Sequence, residues 1–154
     1  MIQVKQILVP TDFSDTARAA LNYAKVLAEA FGASLQILHI LEDPLPGWKP
    51  SGHAVAVPAI REHMEQDAAA GMSQVLTDAE RERFRAQTAT AWGKPFVEIV
   101  RYAKEHGIDM IVMGTHGHGA IAHMLMGNVA ERVVRHAPCP VLTVRNPEQE
   151  FVMP

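Results

Sequence analysis

The sequence is short of the features that would tie it to a membrane, an export route or a nucleic acid. It has one cysteine, Cys139, so no intrachain disulfide framework can form and a reducing compartment is expected. No apolar run approaches the roughly 20 residues of a membrane span. The N-terminus passes directly into strand-like sequence, without a basic segment, a long apolar segment or a cleavage site. Lys and Arg are scattered, and the formal net charge is −3. That balance argues against a nucleic-acid or anionic-membrane surface. The expectation is a soluble cytoplasmic protein with neither nucleic acid nor membrane as partner.

Several catalytic signatures are missing as well. Gly-Lys-Ser/Thr occurs nowhere, so there is no Walker A loop, and there is no Gly-x-Ser-x-Gly elbow. No carboxylate pair stands out as an acid/base couple. His116, His118 and His123 lie close together, with His136 and Cys139 beyond. Zinc needs four converging nitrogen or sulfur ligands. His116 and His118 need not face the same way, and His136 lies at the far end of a helix, so no metal site is expected. Cys139, between two prolines and ahead of a strand, reads as a packed, inert thiol.

What is present is an ordinary globular core. The chain has 154 residues, 48% of them hydrophobic. A chain of that size forms one domain and buries roughly 68–70% of its unfolded surface. The domain is expected over 1–146, with a loosely held tail over 147–154.

Gln6 to Pro10 is a short run rich in branched residues and reads as a buried strand. Thr11 to Ser14 is a turn, with Ser14 as helix cap. Ala17, Ala20, Leu21, Ala24, Leu27, Ala28 and Phe31 recur at helical spacing, and Gly32 closes that helix. Ser34 to Leu41 is the second strand. Prolines and glycines make Glu42 to Val57 a loop. Its Trp48 either covers one side of a crevice or lies on a plain surface loop. A helix is expected from Pro58 to about Arg83, with Gly71 as a weak point. A weak edge strand follows, from Phe84 to Trp92. Pro95 to His106 is a helix stopped by Gly107, and Asp109 to Met113 is an apolar fourth strand. A helix ending near Ala137 and a last strand, Val141 to Val144, complete the chain.

Alternation of strand and helix implies a doubly wound parallel α/β sheet with helices on both faces. Ligands of such sheets bind beyond the carboxyl ends of the strands, where the strand order reverses. Two loops lie at such ends: Thr11-Asp12, and Gly114 to Gly119. The glycines of the second loop allow close backbone approach and positive φ. A strand emptying into such a turn before a helix aims backbone N–H groups at an anion. Read without function, it is a flexible connection. Gly117-His-Gly119-Ala-Ile-Ala122 also fits the dinucleotide fingerprint, but weakly, since no acidic residue ends the next strand. Asp12 alone either caps a turn or accepts a hydrogen bond from a ribose or a base.

Gly114-Thr-His-Gly117, nine residues, then Gly127-Asn128 resembles the G-2x-G-9x-G-[S/T] nucleotide signature of the universal stress protein family. Ile7 to Ser14 resembles that family's first strand and acidic loop, Gly107 to Gly114 its fourth strand, and Cys139 to Arg145 its last. The resemblance implies a five-stranded sheet in the order 3-2-1-4-5, a Rossmann-like fold of the adenine nucleotide alpha hydrolase kind. It implies an ATP crevice in which Pro10, Thr11 and Asp12 line the adenosine pocket and Ile40 contacts adenine. Met113 and Gly114 follow, and Gly117, Gly127, Asn128 and Val129 hold phosphates through backbone N–H groups. His116 and His118 would stand near those phosphates and add charge when protonated. ATP is the implied ligand, with or without Mg or Mn.

Periodicity alone runs one helical face from Ala122 to Ala137. The resemblance instead starts the helix at Gly127-Asn128, with Asn128 as a strong cap. Asn128 stands where the family has Ser or Thr, and an amide does not copy a hydroxyl's role toward a bound metal. The resemblance also implies a homodimer through the fifth strand, Val141 to Val144, whose apolar edge needs covering. Three functions follow as expectations. The first is a regulatory, stress-response ATP-binding dimer. The second is a dimeric interaction module of the same fold without nucleotide. The third is an ATPase whose hydrolysis is weak at most.

Overall fold

A computed structural model describes residues 2–43, 56–116 and 127–145. The chain runs β1 (Gln6–Pro10), α1 (Asp15–Phe31), β2 (Ser34–Leu41), α2 (Ala56–Gln74), α3 (Asp78–Arg83), β3 (Gln87–Trp92), α4 (Pro95–Glu105), β4 (Met110–Gly114), α5 (Asn128–His136) and β5 (Val141–Val144). The five strands form one parallel sheet in the order β3-β2-β1-β4-β5, as expected.

Side chains on a strand alternate between faces, so each central strand feeds two cores. Ile7 and Val9 of β1 and Val112 of β4 join Ala20, Leu21 and Ala24 of α1 and Met72 of α2. Leu8, Ile111 and Met113 join Ile99 and Ala103 of α4 and Ala130 and Val133 of α5. Ile7, Leu8, Val9, Ile111 and Val112 are wholly buried. That double burial explains why β1 and β4 read as continuous apolar runs.

Helix ends follow local chemistry. Ser14 Oγ accepts from Ala17 N at 3.2 Å to start α1, and Gly32 at φ 65 ends it. The helix expected from Pro58 to Arg83 is two helices. Thr77 and Glu80 form a reciprocal capping box, with Glu80 N on Thr77 Oγ1 at 3.2 Å and Thr77 N on Glu80 Oε2 at 2.9 Å. That box restarts the chain as α3. The third strand begins at Gln87, three residues later than expected. Phe84 is the buried C-cap of α3, and Arg85 turns the chain at φ 44. β3 is an edge strand, in keeping with its exposed threonines.

Strand order reverses between β2 and β4, the two neighbours of β1. The β1–α1 and β4–α5 turns therefore leave the sheet side by side.

Candidate functional site

The first turn satisfies its own polar groups. Thr11 N donates to Leu38 O at 2.8 Å, which ties the turn to β2. Phe13 N donates to Thr11 Oγ1 at 3.1 Å and Ser14 N to Asp12 Oδ1 at 3.0 Å. Phe13 sits at φ 64, a costly backbone region for an aromatic residue. Its ring is held against His39, with centroids 4.5 Å apart, and a Cβ on Gly71 would lie 2.7 Å from it. Gly71 thus has a packing reason inside α2. His39 Nδ1 is 2.8 Å from Thr11 O.

The second turn is built differently. Gly114 is needed for space, not for positive φ: a Cβ there would stand 2.7 Å from Thr16 Cγ2 on α1. Thr115 N donates to Val144 O at 2.9 Å, and Thr115 O accepts Gly127 N at 2.6 Å. A Cβ on Gly127 would come within 2.8 Å of that same oxygen. Helix α5 does start where the signature put it, but its cap is Gly127, at φ −68 and ψ 155, and Asn128 is the first helical residue. The reason is steric, since only glycine fits beside Thr115 O. No side chain among the described residues caps this helix, and the first intrahelical bond is Glu131 N to Gly127 O at 3.0 Å. The N–H groups of Asn128, Val129 and Ala130 precede any intrahelical acceptor, at the positive end of the helix dipole.

Between the two turns lies a cleft of about 630 Å³. Pro10, Thr11, Asp12 and Ile40 line one side, and Gly114, Gly127, Asn128 and Val129 the other. Met113 lies one residue short of it, 5% exposed, in the core with Leu8 and Val133. Gly117, His118 and Trp48 lie outside the described residues. The cleft also gathers His39, Glu42, Met64, Pro95, Thr115 and His116. Thr115 and His116 sit inside the glycine signature and His39 beside Ile40, so proximity in sequence pointed to them. Met64 and Pro95 arrive on α2 and α4, and nothing in the sequence signals that.

His116 is 8% exposed, with Nδ1 3.0 Å from Thr115 Oγ1. Its buried Nε2 has no hydrogen-bond partner among the described residues. No group of three or more His, Cys, Asp or Glu side chains able to hold a metal occurs among the described residues. Burial, and next the Asp109 carboxylate, push the Cys139 thiol up, against a smaller opposing backbone hydrogen bond from Ile111. A raised thiol is a poor nucleophile.

The model of the Universal stress protein family matches residues 3–145. The universal stress protein MJ0531 of Methanocaldococcus jannaschii is 33% identical over 147 residues, covering 95% of this chain and 85% of the relative. The solved structure of hypothetical protein MJ0577 superposes with a TM-score of 0.81 at 28% identity, covering 96% of this chain and 99% of that one. A solved universal stress protein in complex with cAMP has a TM-score of 0.59 at 28% identity, covering 94% and 98%. No helix among the described residues is long and apolar enough to cross a membrane.

Proposed function

This chain belongs to the universal stress protein family, and from that premise we propose that its cleft binds an adenine nucleotide, ATP by the spacing of its glycine signature. The nucleotide acts as a regulatory ligand, with hydrolysis weak at most. The observation that carries this reading is the uncapped start of α5, which borders a cleft of about 630 Å³ beside Asp12. A preformed concave site with a few convergent polar groups is the usual form of a small-molecule site. A solved relative that holds cAMP adds support.

The roles follow from position. Pro10, Thr11 and Ile40 flank the adenosine, and Met113 backs the end of β4 from the core. Asp12 accepts from ribose or adenine. Gly114 and Gly127 keep the backbone open, and Gly117 and His118, outside the described residues, are assigned to the phosphates by the spacing of the signature alone. The first N–H groups of α5, those of Asn128 and Val129 foremost, take the phosphates. The described residues form no metal site by themselves, so Mg or Mn enters on phosphate oxygens. Among the described residues, the carboxylates lining the cleft that could meet such an ion are those of Asp12 and Glu42.

The reading extends to a cytoplasmic homodimer. β5 is a sheet edge, with Leu142 39% exposed, and Val134 on neighbouring α5 is 46% exposed. A second copy paired along Val141–Val144 covers both. Light scattering after size exclusion tests this: a dimer is expected, and a monomer at micromolar concentration overturns it.

Calorimetry with Mg-ATP, and mass spectrometry of natively purified protein, test the nucleotide. Saturable binding of one nucleotide per chain is expected. No binding at millimolar ATP, with the fold intact, overturns the reading in favour of a nucleotide-free interaction module. Asn128, at the position where the family has Ser or Thr, is the residue that favours that second reading.

A further inference from the structure

The charge of the cleft goes one step further, and the step rests on the nucleotide reading above. Two carboxylate side chains, Asp12 and Glu42, line the cleft, and among the described residues no Lys or Arg does. The sequence extends this through the glycine turn: from Met110 to Glu131 there is no Lys or Arg at all. The first cation beyond, Arg132, has its guanidinium 4.9 Å from the Phe96 ring centroid. Arg18 and Lys25 of α1 border a neighbouring cavity of about 360 Å³ beside Phe13, which shares Thr11 and Ala17 with the cleft, and they pair with Asp15 at 3.6 Å and Glu80 at 2.7 Å.

Among the described residues, what remains for a phosphate is the start of α5 and His116; Lys49, Gly117 and His118 lie outside them. A helix N-terminus offers roughly half a positive charge and a few N–H donors. His116 adds one ring nitrogen, Nε2, which is buried and without a partner among the described residues. Such a set can match one phosphate group. A free triphosphate brings more negative charge than these groups offset.

We propose that this cleft selects its nucleotide by charge. Adenine nucleotides with one phosphate, as a monophosphate or a cyclic phosphodiester, bind without metal, and the triphosphate binds only as its complex with a divalent cation. The protein then reads the ratio of metal-bound triphosphate to monophosphate. Free triphosphate is excluded.

The test is calorimetry on the full chain with AMP, cAMP and ATP, each in EDTA and in Mg²⁺. AMP and cAMP should bind in EDTA with affinities that Mg²⁺ changes by less than about threefold. ATP in EDTA should bind at least about tenfold more weakly than AMP, the scale of one charge-assisted contact, and Mg²⁺ should restore it. ATP that binds in EDTA as tightly as AMP overturns charge selection and leaves the nucleotide site standing. No binding of any nucleotide in either condition overturns both. Val129→Lys supplies an independent arm, since Val129 is 37% exposed, lines the cleft and lies in the first turn of α5. It should tighten ATP in EDTA by about tenfold and AMP by less. An unchanged ATP affinity in a folded variant contradicts the proposal.

Discussion

The β1–α1 and β4–α5 turns leave adjacent strands at the same end of the sheet, and each opens a helix beside the same cleft. Their chemistry is opposite. In the first, three side-chain oxygens, Thr11 Oγ1, Asp12 Oδ1 and Ser14 Oγ, accept the local N–H groups. In the second, Gly127 leaves α5 with no side-chain cap among the described residues. One helix start carries a side-chain cap, on Ala17 N, and the other carries none among the described residues. Topology set two helix starts beside one cleft, and side chains treat them differently.

The largest break in this contrast is Gly127→Val. Its Cβ would stand 2.8 Å from Thr115 O, so the start of α5 must shift. Calorimetry should show Mg-ATP affinity falling about a hundredfold or more, the loss of two or more phosphate contacts. Circular dichroism on the same sample separates this from unfolding. Asp12→Ala comes next. It removes the acceptor that faces the cleft and the bond to Ser14 N, so affinity should drop about tenfold and stability by about 1 kcal/mol.

Ser14→Ala tests the other side of the comparison. Loss of the α1 cap should cost about 1 kcal/mol, read as a melting point lower by about 2–4 °C. Nucleotide affinity should stay within about twofold, because Ser14 donates nothing to the cleft. The smallest effect lies outside both turns. The Lys25 ammonium, then the backbone at Thr77, hold the Glu80 carboxyl below the usual glutamate range. A carboxyl lowered on folding stabilises the protein above its unfolded pKa, and that stability is lost as pH falls through the lowered value. Glu80→Gln should therefore cost about 1 kcal/mol or less at neutral pH and flatten the acid side of the stability profile, measured by urea unfolding at several pH values.

Much of the frame was legible in the sequence because burial on both faces leaves an unmistakable record. Ile7 to Pro10 and Met110 to Met113 are apolar throughout, and Pro10 and Gly114 end the two runs. The break at Thr77 was also written there, as Thr-x-x-Glu, but the apolar spacing across Val75 and Leu76 hid it. The start of β3 was misread because Phe84 looks like a strand residue, while its backbone N–H caps α3 and its side chain fills the core.

At the site, the glycine spacing located the turn and the helix start but not the capping residue. Asn is the better cap by propensity, and the contact with Thr115 O overrode propensity in favour of Gly127. Period-two alternation sends Met113 into the core between the sheet and α5, which a motif read as a string does not reveal. Met64 and Pro95 reach the cleft only through tertiary packing.

The central claim is that the helix start without a side-chain cap, not the capped one, holds the phosphates. Amide chemical shifts of the labelled protein on addition of Mg-ATP test it most directly. The account predicts large shifts at Asn128, Val129 and Ala130, with Asp15, Thr16 and Arg18 in the first turn of α1, none of which lines the cleft, scarcely moved. Large shifts in α1 with α5 unmoved would contradict it.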